Sequence, residues 1–219
     1  MKKTIISTCL FLGMSLLSFA QMKEGKISYS MDLSSDDPEM AMAVGMMQGS
    51  KMDISFMPGK SRADITMGTM MNMSNIVDEK SGKALMLMTI MGQNTAVEST
   101  LDELKEKEND AKPAFDTKIT NETKTIAGYT CTKAIMTSED AGEMVIWYSK
   151  DISANTIGQQ YYNKEMPGFP MEMEINQQGM KIHMVVTTVD KKVTKNIFDQ
   201  KIPEGYTVQT MEQLQQMGE

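Results

Sequence analysis

The chain has 219 residues, 29 of them acidic and 22 basic, for a formal charge of −7, with two cysteines and a single histidine. An acidic surface of this kind repels phosphate and argues against nucleic acid as a partner. With only His183 to supply imidazole, a multi-histidine metal centre is excluded, and any histidine-based dyad or triad must run through that residue.

Met1, Lys2 and Lys3 precede an apolar run over residues 4–17 that is too short to span a bilayer comfortably. The small residues Ser18 and Ala20 flank Phe19 ahead of Gln21, so residues 1–20 read as a signal peptide cleaved after Ala20. A periplasmic or secreted product is expected. Cys9 lies inside the apolar run, too early for a lipid-anchor site, which favours a soluble product. Cleavage leaves Cys131 alone, so no internal disulfide can form. No other stretch approaches the length of a membrane helix. Residues 21–219 are expected to form one β-rich domain, large enough for a good core.

Alternation of apolar and polar residues then marks strands. Ile27, Tyr29, Met31 and Leu33 form one stripe; Met52, Ile54 and Phe56 form the next. Asp37-Pro38-Glu39 between them is a helix start, with Met40, Met42, Val44, Met46 and Met47 following. After the turn Pro58-Gly59-Lys60, Ala63, Ile65 and Met67 continue the pattern as a hairpin. Residues 71–77, 84–91, 118–125, 129–137 and 143–149 read as further short strands. Leu85-Met86-Leu87-Met88, apolar on both faces, suits a central one. Residues 101–107 and 211–217 are helix candidates, and residues 109–113 the one linker-like stretch. A second hairpin places Phe169, Met171, Met173 and Ile175 on one face and Glu172 and Glu174 on the other. Its turn over Asn176 to Gly179 is expected to pair Ile175 with Met180, Met173 with Ile182 and Met171 with Met184.

Residues 126–134 (IAGYTCTKA), 145–152 (VIWYSKDI) and 167–173 (PGFPMEM), in that order, resemble the domain of unknown function family 4412 of Gram-negative bacteria. The chain is also similar to the related GLPGLI proteins, whose signature falls at Met166 to Met171, although here it reads Met-Pro-Gly-Phe-Pro-Met. Phe198-Asp199, Ile202 to Tyr206 and the hairpin from Lys51 to Met67 fit the same pattern. The resemblance implies an exported protein and a mostly β (α+β) fold: a curved antiparallel sheet or half-barrel with a few helices on or in its concave face, similar to periplasmic lipoprotein carriers. It supplies no catalytic residue and no ligand.

His183 shares the outward parity of Lys181 and reads as a solvated surface histidine. Cys131 has no base near it in sequence and reads as a small buried thiol. Glu172 and Glu174 share a strand face and could be offered as a glycosidase-like pair, but a solvated face accounts for them. The acidic run from Ser34 to Glu39 lacks the glycine and distal glutamate of a calcium loop. No phosphate loop, dinucleotide fingerprint or nucleophile elbow is present, so no enzyme, catalytic residue or cofactor is expected.

The most unusual feature is 26 methionines. Three readings follow. They can be soft core filler. They can bind Cu(I) or Ag(I), with Met171, Met173 and Met184 as the metal cluster. The favoured reading is a polarizable lining for a lipid or other apolar ligand, with Met40, Met42, Met46, Met47, Met86, Met88, Trp147, Phe169, Met171, Met173 and Met184 as candidates. A structural or envelope-stress protein with no small ligand is the remaining alternative.

Overall fold

The computed structural model describes residues 21–110, 115–138, 142–154, 166–177 and 179–216. The expected signal segment, residues 111–113 of the linker-like stretch, and Met217 lie outside them. Among the described residues twelve strands form one sheet: β1 (Gly25–Ser35), β2 (Ser50–Met57), β3 (Lys60–Met67), β4 (Met71–Asp78), β5 (Lys83–Ile90), β6 (Gln93–Thr100), β7 (Asp116–Ile126), β8 (Tyr129–Ser138), β9 (Gly142–Ser149), β10 (Phe169–Gln177), β11 (Met180–Asp190) and β12 (Thr207–Gln209). The order across the sheet is β12-β6-β5-β4-β3-β2-β1-β11-β10-β9-β8-β7. Two meanders, β1 to β6 and β7 to β11, are therefore joined along the antiparallel pair β1 and β11. Only β12 runs parallel to its neighbour, β6.

The helices are short and capped by their own sequence. Asp37 accepts from the Glu39 amide at 2.9 Å, opening the 3₁₀ turn Pro38–Met40 that leads into α1 (Ala41–Met46). Thr100 and Glu103 exchange hydrogen bonds at the start of α2 (Leu101–Asp110), and Thr210 and Gln213 do the same for α3 (Met211–Gln216). Both are capping boxes, in which each side chain satisfies the other's amide. Among the described residues no helix is long and apolar enough to cross a membrane.

Chain length requires the sheet to curl. If it were flat, the ten spacings between β6 and β7 would hold them about 48 Å apart. The connection from Thr100 to Asp116 contains α2, which rises about 15 Å, and the residues that follow add at most about 21 Å. The sheet is accordingly open and curved. The curl shows directly in Phe56 on β2 and Phe169 on β10, whose ring centroids lie 6.4 Å apart over the two intervening strands. Tyr29 Oη likewise reaches from β1 over β11 to donate to the Pro170 carbonyl at 2.6 Å.

The inner face of β1, β2 and β8 to β11 is filled. Ile27, Tyr29, Ile54, Phe56, Met136, Ile146, Met171 and Met173 are all within 2% of complete burial, in one continuous cluster. The outer face of β4 to β6 is covered by the chain after β11. There Ile202 and Tyr206 pack on Ile76, Leu85 and Ala96, while Arg62 donates to the Ile197 carbonyl at 2.9 Å. On the inner face, Leu101 and Leu104 of α2 pack on Val77 and Ala84. α2 thus covers β5 on the inner face at Ala84, while Leu85 and Leu87 of its doubly apolar run meet the chain after β11 on the outer face.

Candidate functional site

Rows of side chains run across the strands on the inner face, and one row changes character along its length. Register aligns Tyr29, Met52, Ile65, Met73, Met88 and Thr95. Tyr29 and Met52 are buried, at 2% and 8% exposure, whereas Ile65, Met73 and Met88 are only half-buried. The next row repeats the change: Ser50 is buried, Met67 and Met71 are half-buried, and Ile90 is 45% exposed. Met67 pairs directly with Met71, and Met73 with Met88; Met86 lies one row over, also half-buried. The inner face of β3 to β5 is therefore a contiguous thioether surface left partly open where the adjoining half is packed.

α1 borders this surface. The Met46 carbonyl accepts from the Thr69 amide at 3.2 Å, in the turn between β3 and β4. That approach needs Gly68, which sits at φ +49°, and whose added Cβ would fall 2.0 Å from the same carbonyl oxygen. Met40 and Met47 are half-buried, Met47 against the core, while Met42 and Met46 are exposed.

The structure thus divides the candidate lining. Met86 and Met88 lie on the open surface, and Met46 and Met47 at its border. Phe169, Met171, Met173 and Met184 are interior to the filled half, with no more than 6% exposure. The hairpin that carries them pairs Gln177 with Met180, Ile175 with Ile182 and Met173 with Met184, two residues displaced from the expected register. The strands run further toward the turn than four loop residues would allow, and because the side-chain period is two, each stripe keeps its face. In that register Met173, not Met171, opposes Met184, while Met171 stands at a bulge between Pro170 and Glu172 in the pairing of β10 with β9. Trp147 is turned to the outer face, opposite Glu172 and Lys133, and is no reporter of the inner surface. Met67, Met71, Met73 and Ile65 share this half-buried surface but are absent from the candidate set. Their alternation was visible, but the cross-strand rows that unite them come only from the register.

The outer face of β7 to β11 carries a polar cluster. Glu172 is not solvated, as its alternation suggested, but buried, with 8% exposure. Lys124 reaches from β7 to within 2.7 Å of its Oε2, with the ammonium 4.3 Å from the centroid of the Trp147 ring. His183 Nε2 lies 3.3 Å from Oε1 of the same carboxylate, and the His183 side chain is 42% exposed. Donor atoms of Glu172, Glu174 and His183 all lie within 4.8 Å of one another. Cys131 is fully buried; desolvation pushes its thiol from the ordinary 9.0 to about 11, so it rests protonated and is a poor nucleophile.

Comparison with known proteins assigns the chain to a family. The model of the domain of unknown function DUF4412 matches residues 37–206. The chain belongs to this family. A search of curated proteins returns no match. Among solved structures, the DUF4412 chain is similar to PNGF-II at 14% identity and a TM-score of 0.50, covering 89% of this chain and 33% of that one. It therefore spans about a third of the length of PNGF-II. It is also similar to an uncharacterized conserved protein from Thermus thermophilus, at 8% identity and a TM-score of 0.51, over 86% of this chain and 91% of that one. The Mycobacterium tuberculosis lipoprotein LppX aligns over 78% of this chain and 89% of its own, at 8% identity and a TM-score of 0.41. Such identities speak to the fold alone.

Proposed function

We propose that this DUF4412 chain is an exported, non-enzymatic binding module that holds a lipid or other apolar ligand against the half-buried methionine surface of β3 to β5. The supporting observation is the change along a single row, from buried Tyr29 and Met52 to half-buried Ile65, Met73 and Met88. Apolar side chains left partly in water in the concavity of a sheet gain by being covered, at about 25 cal/mol per Å². Methionine suits irregular acyl chains because its unbranched, polarizable side chain re-packs at low cost.

The test is extraction of lipid from protein made with its own export signal, followed by titration with a fluorescent fatty acid. Copurified lipid and saturable uptake, both abolished in the double variant M73E/M88E while the unfolding midpoint stays near wild type, are the expected results. Absence of lipid together with unchanged uptake by the variant would overturn the proposal. The opposed pairs Met67/Met71 and Met73/Met88 also favour a second reading, a Cu(I) or Ag(I) site. Anaerobic silver titration separates the two, since a thioether site saturates with silver in lipid-free protein.

A further inference from the structure

The lining surface leaves unused the polar cluster on the opposite side of the sheet. We propose that Glu172, Glu174 and His183 form a site for a divalent transition-metal ion of the zinc or copper(II) class, open to solvent on one side. Two residues apart on β10, Glu172 and Glu174 share a face, and His183 stands directly opposite Glu174 on β11. Strand pairing fixes all three backbones. Their donor atoms lie within 4.8 Å of one another, and an ion among them would draw them in to the roughly 2.0–2.2 Å that zinc takes from nitrogen and carboxylate oxygen.

The donor set selects the class. One imidazole with two carboxylates suits zinc, nickel or copper(II), whereas calcium and magnesium require oxygen alone and Cu(I) prefers sulfur. The surroundings orient the first ligand. Lys124 holds Oε2 of Glu172 at 2.7 Å and is itself steadied over the Trp147 ring, which leaves Oε1 facing His183 Nε2 at 3.3 Å. A metal ion would take over that contact and keep the lysine as the outer partner of its carboxylate. Burial of Glu172 makes it the rigid ligand. His183 and Glu174 are accessible and leave the remaining coordination positions to water. The neighbouring charges are mixed: Asp32 opposes His183 on β1, and Lys181 is engaged by Asp36 at 2.7 Å.

Trp147, the sole tryptophan, stands opposite Glu172 in the sheet and reports on the site. Titration of the untagged, metal-free protein with copper(II) should quench its emission at one equivalent, and zinc should compete and restore it. The electron paramagnetic resonance spectrum should show nitrogen coupling from one imidazole, which can come only from His183. H183Q and E174Q should each weaken binding about tenfold or more, the least that loss of even an outer-shell partner costs. Both positions are accessible, and unchanged unfolding midpoints will show that both variants fold. Quenching without saturation at one equivalent, or an H183Q protein that binds copper as wild type does, would overturn the proposal. Neither outcome bears on the methionine surface, which lies on the other face.

Discussion

Two methionines on the same inner face should respond very differently to the same truncation. Met173 is 2% exposed and packed within the filled half, so Met173→Ala removes a buried side chain and leaves a cavity, a loss of about 2–5 kcal/mol. Met73 is only half-buried, on the row that runs out from the filled half. Its truncation forfeits only part of a transfer term of about 1.5–3 kcal/mol and leaves no closed cavity, so a loss of about 1 kcal/mol or less is expected. For a chain of this size each kcal/mol moves the melting temperature by about 2–4 °C, which separates the variants clearly. Urea unfolding followed by circular dichroism, with unchanged denaturant slopes, is the assay. Lipid-free protein must be used, because a bound ligand would stabilise the native state and mask the difference. An equal cost at the two positions would mean that Met73 is closely packed, and the open lining surface would be refuted.

Cys131 should resist alkylation in native protein at neutral pH and react only on unfolding; rapid native labelling would contradict its burial and raised pKa. The sign of the linkage also follows. A thiol whose folded pKa is raised favours the fold while neutral, so its contribution is complete below pH 9.0 and is lost as the pH rises toward about 11. Replacing Cys131 with Ala should flatten the alkaline limb of urea midpoints measured across that window. Gly68→Ala should displace α1 from the β3–β4 turn, at a cost of about 1–3 kcal/mol from the left-handed backbone alone. Hydrogen exchange at the Thr69 amide, which donates to Met46, reports it; unchanged protection would show that the turn absorbs the added methyl without moving the helix.

Strands with a clear stripe were legible, from Gly25 to Leu33 through the hairpin at Pro58-Gly59, where Pro occupies the second turn position and Gly59, at φ +76°, the third. The helix start at Asp37 was legible because capping is local chemistry. β6 was not read as a strand. Its sequence, QNTAVEST, is mostly polar, and Ala96 and Val97 become fully buried only through what packs on each side of them. β12 is three residues held by its parallel pairing to β6, a tertiary effect with no local signal. In the hairpin of β10 and β11 the apolar faces were legible, but not the register, because displacement by two residues leaves an alternating pattern intact. Glu172 shows the same limit. Alternation placed it on the outer face, but its burial depends on Lys124 and Trp147, which arrive from other strands.

The seam between β1 and β11 has a consequence for the order in which the chain becomes available. β2 follows β1 closely and can pair with it early, but the other edge of β1 must wait for residues 180–190, and Ser35 meets Gly179 across 144 residues. Whether the chain emerges from a ribosome or from an export channel, β1 then presents an unpaired edge until nearly all of the sequence has followed. Such an edge is a template for another molecule's strand, and the stripe Ile27, Tyr29, Met31 and Leu33 beside it is apolar. The topology that gives the finished sheet one continuous inner face thus prolongs the time during which a second copy, or a chaperone, can reach its central strand.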